Sequence, residues 1–123
     1  MIASAVVGSI DKAATIAYEQ AGLIASTGFF QLRPRIMSTE YLLVLVRSRC
    51  VQMQFQHQTT GGILSAVPDS RLKHVQVPNL PEAIREKISE FVIHSHDAER
   101  ESVRLVEQAK TRVEQLIEEA ARG

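Results

Sequence analysis

The sequence predicts an α+β protein, with a small mixed α/β head of short strands followed by one long C-terminal coiled-coil helix. Two observations predict this division. No Gly or Pro occurs between Pro81 and Gly123, and the apolar residues of that stretch recur at steps of three and four. The residues before Pro81 instead form short apolar runs separated by turn-forming residues. We therefore expect a head at 1–79 and a helix at 80–123.

The long helix is predicted from Pro81 to about Arg122. At 1.5 Å per residue, roughly 40 residues span about 60 Å, far more than the core of the head requires. Pro81 suits the first helical turn. Glu82 lies near the positive end of the helix dipole and Arg122 near the negative end, and Gly123 is a natural stop.

The apolar stripe of this helix is narrow and follows the a/d pattern of a coiled coil. It consists of Ile84, Ile88, Phe91, Ser95, Ala98, Ser102, Leu105 and Ala109. After Ala109 it moves to Val113, Leu116, Ile117 and Ala120, a local break of the stutter kind. The small residues at its centre allow close approach but bury little surface. We predict pairing with a second helix; the alternative is a helix folded back on its own domain.

The residues expected to carry this pairing are the larger members of the stripe and two of its alanines. They are Ile84, Ile88, Phe91, Ala98, Leu105, Ala109, Val113, Leu116 and Ile117. In an antiparallel pair, the cluster at Ile84, Ile88 and Phe91 would face the cluster at Val113, Leu116 and Ile117, with the small residues near the two-fold axis.

Short strands and one medium helix are predicted in the head. The strands are expected at Ile2–Val7, Ala14–Tyr18, Phe29–Arg33, Ile63–Val67 and Val75–Val77. The helix is expected to start at a cap, Ser38 or Thr39, and to continue to about Gln56. Its apolar face would contain Tyr41, Leu42, Leu45, Val46 and Met53. A single helical turn should follow Pro68.

The charge is zero overall but unevenly distributed. Residues 1–81 contain seven Lys or Arg against four Asp or Glu, a net +3, and residues 82–123 carry a net −3. A basic head is compatible with a polyanionic partner. Cys50 is the only cysteine, which fits a reducing compartment, and no apolar run has membrane-spanning length. We expect a cytoplasmic protein.

No residue pattern predicts catalysis, so we expect a protein that is not an enzyme and has no cofactor. Cys50 could meet His57 or His74, but no flanking pattern supports a nucleophile. His94 and His96 are two residues apart and point to different sides of a helix, so they do not predict a metal site. Gly61-Gly62 lacks the Lys-Ser/Thr of a phosphate loop.

The stretch from Arg47 to Gly62 combines side chains that contact nucleic acids. Arg can read guanine, Gln can read adenine, and Thr and backbone N–H groups hold phosphate. The candidate DNA contacts are Arg47, Arg49, Gln54, His57, Gln58, Thr59 and Thr60. The alternative is a solvated helix face followed by a polar loop.

Several segments resemble the specificity (S) subunit of type I restriction–modification enzymes. In order, they are Gly28-Phe-Phe-Gln-Leu-Arg-Pro, Glu40-Tyr-Leu-Leu, Gly61-Gly62, Leu72-Lys-His-Val-Gln-Val-Pro, and Leu80-Pro followed by a long helix. Gly8-Ser-Ile-Asp-Lys is similar to the family's Gly-x-Ile-Gly-Lys turn, with Asp11 where Gly is usual. The order and spacing hold along nearly the whole chain.

The resemblance implies a non-catalytic target-recognition domain and its conserved helix. In that family two such units read two half-sites of double-stranded DNA, and their helices pair antiparallel as a ruler. Methyltransferase (M) subunits dock on this assembly and the restriction (R) subunit joins them. S-adenosylmethionine and ATP belong to those partners.

This sequence departs from the family in holding one unit. The front of the recognition domain is expected to be missing, so the chain could be a truncated remnant. We predict a DNA-specificity subunit that forms a homodimer through antiparallel C-terminal helices, without a membrane partner. The alternative is a structural helix-pairing module that dimerises without binding DNA by itself.

Overall fold

The computed structural model describes residues 1–4, 12–25, 28–58 and 67–123. Within them the chain forms a small head of short strands and helices and a long C-terminal helix, which confirms the predicted fold class. By internal contacts it divides into two compact units, residues 1–89 and 90–123. The functional division into a partial recognition domain at 1–79 and a pairing helix at 80–123 stays a prediction.

Three short strands of the head form an antiparallel sheet in the order β2-β1-β3. They are β1 (Ile2–Ser4), β2 (Ala13–Ala14) and β3 (Phe29–Gln31). Ile2 lies opposite Ala14 on one side and Gln31 on the other. The N-terminal amine of Met1 donates to the Leu32 carbonyl at 3.2 Å, which extends the pairing of β1 and β3 by one residue.

The strand predictions are partly right. Phe29–Gln31 falls within the predicted strand Phe29–Arg33, but of the predicted strand Ala14–Tyr18 only Ala14 is paired, and Tyr18–Gln20 is a short 3-10 helix. There the Gln20 side chain accepts from the Ala17 amide at 3.0 Å, so a local hydrogen bond replaces ladder pairing. The predicted residues 5–7 and 63–66 lie outside the described residues.

The predicted medium helix is two helices, α1 (Thr39–Arg47) and α2 (Arg49–His57). Ser48 separates them, because its backbone is extended and its hydroxyl bonds to both neighbouring ends. It donates to the Leu45 carbonyl at 2.6 Å and accepts from the Val51 amide at 3.4 Å. Ser38 is the cap of α1, and its hydroxyl accepts from the Tyr41 amide at 3.1 Å.

The core of the head lies between these two helices and the sheet. Its buried members are Ala13, Phe30, Tyr41, Leu43, Leu45, Val46, Val51, Phe55 and Val67. The rings of Phe30 and Phe55 are 6.3 Å apart, a tilted contact that joins β3 to α2. The predicted core position of Met53 is wrong, because the break at Ser48 turns α2 so that Val51 and Phe55 face inward and Met53 is 47% exposed.

The segment from Val67 to Pro81 is mostly irregular. A four-residue helix, α3 (Asp69–Leu72), follows Pro68 as predicted. Val75–Val77 is not a strand, and no described strand pairs with it. The side chain of Gln54 takes the place of a neighbouring strand there: it donates to the Gln76 carbonyl and accepts from the Gln76 amide, both at 2.7 Å.

The long helix α4 (Glu82–Arg122) has the predicted extent. Its first hydrogen bonds run to the Pro81 carbonyl, which therefore marks the helix start. Its first two turns belong to the same compact unit as the head. The hydroxyls of Ser38 and Ser89 are 2.6 Å apart, and Arg85 donates to the Ile36 carbonyl at 3.4 Å, so the cap of α1 is joined to the start of α4.

We expect Phe55→Ala to lower the free energy of unfolding of the head by about 3–5 kcal/mol, because it removes a fully buried ring and leaves a cavity. A urea titration followed by the near-ultraviolet circular dichroism of the tyrosines, including buried Tyr41, measures this. Met53→Ala on the same helix is the matched control and should cost under about 1 kcal/mol. Equal effects of the two substitutions would contradict the described packing of α2.

Candidate pairing surface and nucleic-acid interface

Most of the apolar stripe of α4 is uncovered in this chain, and Ile88 is its one large member of intermediate exposure. No residue of the helix is buried, and the largest stripe side chain, Phe91, is 67% exposed. Leu105, Val113, Leu116 and Ile117 are each close to half exposed or more. A soluble helix normally covers such a stripe, and uncovered contiguous apolar surface marks an interaction site. The stripe is therefore the candidate pairing surface.

All predicted pairing residues lie along this one helix, but they do not share a single line. Ile84, Ile88, Phe91, Ala98, Leu105 and Ala109 follow the a/d pattern of an uninterrupted α-helix. With about 3.6 residues per turn, Val113 and Leu116 continue the line of Ile84 and Phe91, whereas Leu105 and Ile117 lie at the two edges of the stripe. The structure brings them to one side of α4, and whether they bind another helix stays a prediction.

Ion pairs lie on the side of α4 that faces away from the apolar stripe. Arg104 donates to both carboxylate oxygens of Glu101, from Nε at 2.9 Å and also from Nη2. This bond lowers the pKa of Glu101 and raises that of Arg104. Its stabilisation is therefore present above the ordinary pKa of a glutamate and is lost as pH falls through the lowered value. Both side chains are exposed, so the pair contributes little.

The predicted DNA-contact residues have different roles in the structure. Arg47 ends α1, and its Nη2 donates to the Ala13 carbonyl at 2.5 Å, which ties α1 to β2. Gln54 is committed on both sides of its amide to the backbone of Gln76. Two of the seven candidates therefore have structural partners within the head.

Three other candidates lie at the two ends of α2. Arg49 is exposed at the first residue of the helix, and His57 is exposed at the last. Gln58 is partly exposed, and its backbone amide caps the end of the helix. Arg49 and His57 are separated by the length of α2, so they do not form one cluster. Thr59 and Thr60 lie outside the described residues.

The contacts of Gln54 and Ser38 were missed by sequence reasoning in different ways. Ser38 is one of the two caps that the sequence offers for α1, but its second partner Ser89 is 51 residues away, and no local pattern predicts that contact. Gln54 bonds to Gln76 in an irregular segment. No periodic pattern of apolar residues in the sequence indicates that these two residues meet. Both contacts follow from tertiary packing.

Two kinds of site are absent from the described part of the chain. No group of three or more His, Cys, Asp or Glu residues there could hold a metal ion. None of its helices is both long and apolar enough to cross a membrane.

No family model matches this chain, and no curated protein or solved structure matches it either. The resemblance to type I specificity subunits therefore depends on the quoted segments alone, and the functions it implies are proposals.

Substituting Gln54 and Arg49 separates a structural role from a DNA-contact role. Gln54→Ala should lower the free energy of unfolding by about 1–3 kcal/mol, because it removes two hydrogen bonds to Gln76. Arg49→Ala should change it by under about 0.5 kcal/mol, because the exposed side chain bonds to no described residue. Urea titration of both variants measures this, and a Gln54→Ala variant of unchanged stability would contradict the structural role.

Proposed function

We propose that this chain is a non-catalytic DNA-specificity subunit of a type I restriction–modification assembly, in which α4 pairs with a second long helix. The observation that carries this proposal is the uncovered apolar stripe of α4, along which no residue is buried. The resemblance to type I specificity subunits implies such a paired spacer helix. A catalytic role is not part of the proposal, and the cofactors S-adenosylmethionine and ATP are assigned to the partners.

The charge of the head supports a DNA partner. All seven of its basic residues have exposed side chains: Lys12, Arg33, Arg35, Arg47, Arg49, Arg71 and Lys73. The ion pairs found among the described residues all lie on α4. Cations that form no ion pair with a described carboxylate are available to phosphate groups, which supply most of the sequence-independent affinity for DNA.

The assembly gives the two ends of the chain separate tasks. The heads would contact double-stranded DNA, and the paired helices would offer a docking surface to the methyltransferase subunit, which the restriction subunit joins. Such an assembly works in the cytoplasm, and the exposed thiol of Cys50 fits a reducing compartment.

A second candidate function is a helix-pairing module that dimerises without binding DNA by itself. One observation favours it specifically: Gln54 and Arg47, two of the predicted base or phosphate contacts, are bonded to the backbone of the head. If these side chains serve the fold, the DNA surface of the head is smaller than the sequence predicted. Pairing through α4 is common to both candidates.

We expect Phe91→Asp to convert a paired protein into a monomer at tens of micromolar. Phe91 is the largest side chain on the stripe, and the substitution replaces buried apolar surface by a desolvated charge. Light scattering coupled to size-exclusion chromatography measures the mass. Ile93→Asp, two residues away on the outer side of the helix, is the matched control and should leave the mass unchanged. A wild-type monomer at that concentration would contradict pairing between copies of the chain.

Binding to duplex DNA should be sensitive to salt. With about three phosphate contacts, the association constant should fall roughly 40-fold between 50 and 200 mM salt, and Arg49→Ala should reduce the salt slope by about one contact. Fluorescence anisotropy with labelled duplex measures both. Arg112→Ala on α4 is the control and should leave the slope unchanged. If no salt-sensitive binding occurs even with the methyltransferase subunit added, the pairing module is the better description.

A further inference from the structure

A regular seam runs the whole length of α4 if Val106, rather than Leu105, is taken as the seam residue that follows Ser102. Its members are Ile84, Ile88, Phe91, Ser95, Ala98, Ser102, Val106, Ala109, Val113, Leu116 and Ala120. The steps alternate between four and three, with one pair of consecutive fours centred on Ser102. This is a single stutter. The helix is continuous through it, so Val106 continues the line of the seam and Leu105 flanks it.

The order of these steps is the same in both directions from Ser102. On each side the steps are four, three, four, three and four, so the seam residues form pairs whose numbers add to 204. A helix that packs on an unrelated helix needs no such symmetry. Two identical helices related by an antiparallel two-fold axis do need it, because each seam residue of one copy must meet a seam residue of the other.

Two of these pairs join large apolar side chains, whereas Ile84 would meet the smaller Ala120. Ile88 would meet Leu116 and Phe91 would meet Val113 near the two ends, while Ser102 would meet itself on the axis. The two serines allow the helices to approach closely at the centre, and the large side chains fill the wider spaces on either side. Phe91, Val106 and Val113 are all more than half exposed in the single chain, so this surface is available for burial.

Charge favours the antiparallel direction over the parallel one. Residues 82–101 carry six acidic and three basic side chains, a net −3, whereas residues 103–122 carry four of each. An antiparallel pair places each acidic half beside a neutral half, and Lys87 beside Glu119 of the second copy. A parallel pair would place the two acidic halves together and both +3 heads at the same end.

We infer that the partner of α4 is a second copy of this chain, bound antiparallel with the two-fold axis at Ser102. This inference rests on the helix pairing of the proposed function and names its partner and register. It does not depend on DNA binding.

Cysteine cross-linking tests the axis. In a Cys50→Ser background, Ser102→Cys should form a covalent dimer under mild oxidation, because a residue on the axis meets its own copy within disulfide range. Thr111→Cys, on the outer side of the same helix, is the control and should stay monomeric on a denaturing gel. If Ser102→Cys forms no covalent dimer, the proposed position of the two-fold axis at Ser102 is overturned.

A mixing experiment tests the direction. Ile88→Cys and Leu116→Cys, each in the Cys50→Ser background, should cross-link when mixed and should form little dimer alone. Cross-linking of each variant with itself would indicate a parallel pair and overturn the inference.

Two aspartate variants test the register. Val106→Asp should raise the dimer dissociation constant about 100-fold, because each dimer then buries two charges. Leu105→Asp, at a flanking position, should raise it less than about 10-fold. Analytical ultracentrifugation measures both, and the reverse order would overturn the seam. Salt-sensitive DNA binding by a monomer would overturn this inference but would leave the proposed DNA function standing. A cross-linked dimer that binds no DNA would support this inference and contradict the DNA function.

Discussion

The apolar stripe of α4 is the constraint on which the rest of the molecule depends. A 41-residue helix cannot bury such a stripe against a head whose core, among the described residues, consists of nine apolar side chains, three of them aromatic. Isolated helices in water are marginal because nucleation is costly and tertiary packing normally supplies their stability. The exposed ion pairs at Asp97–Arg100 and Glu101–Arg104 add little, so burial of the stripe is the available source of stability.

The head is held together by hydrogen bonds that compensate for its short strands. Strands of two or three residues contribute few ladder bonds, and side chains supply further links: Arg47 holds β2, and Gln54 holds the segment around Gln76. The Ser38–Ser89 contact then joins the cap of α1 to the second turn of α4. Residues that the sequence offers as ligands for DNA are thus partly used to build the head.

The long helix and its stripe were predictable because their signals are local. The absence of Gly and Pro after Pro81 and the three–four spacing of apolar residues both act over a few turns. The break between α1 and α2 was not, since Ser48 is tolerated inside helices and becomes a cap only when the surrounding packing favours it. The exposure of Met53 is a consequence of that same break. The sequence suggested a DNA contact for Gln54 because a glutamine side chain can bond equally well to a DNA base and to protein backbone. Its residue type alone does not separate the two roles.

The small centre of the seam limits how tightly two helices can bind. Ser95, Ala98 and Ser102 bury little apolar area, so most of the affinity of a pair would come from the clusters around Phe91 and Val113. A pair held at two separated places is reversible, and it gains strength when its heads are bound to one DNA molecule, because the second contact becomes intramolecular. Weak pairing and weak DNA binding would then reinforce each other. The duplex would select the dimer, and the dimer would select duplexes that carry two suitably spaced sites.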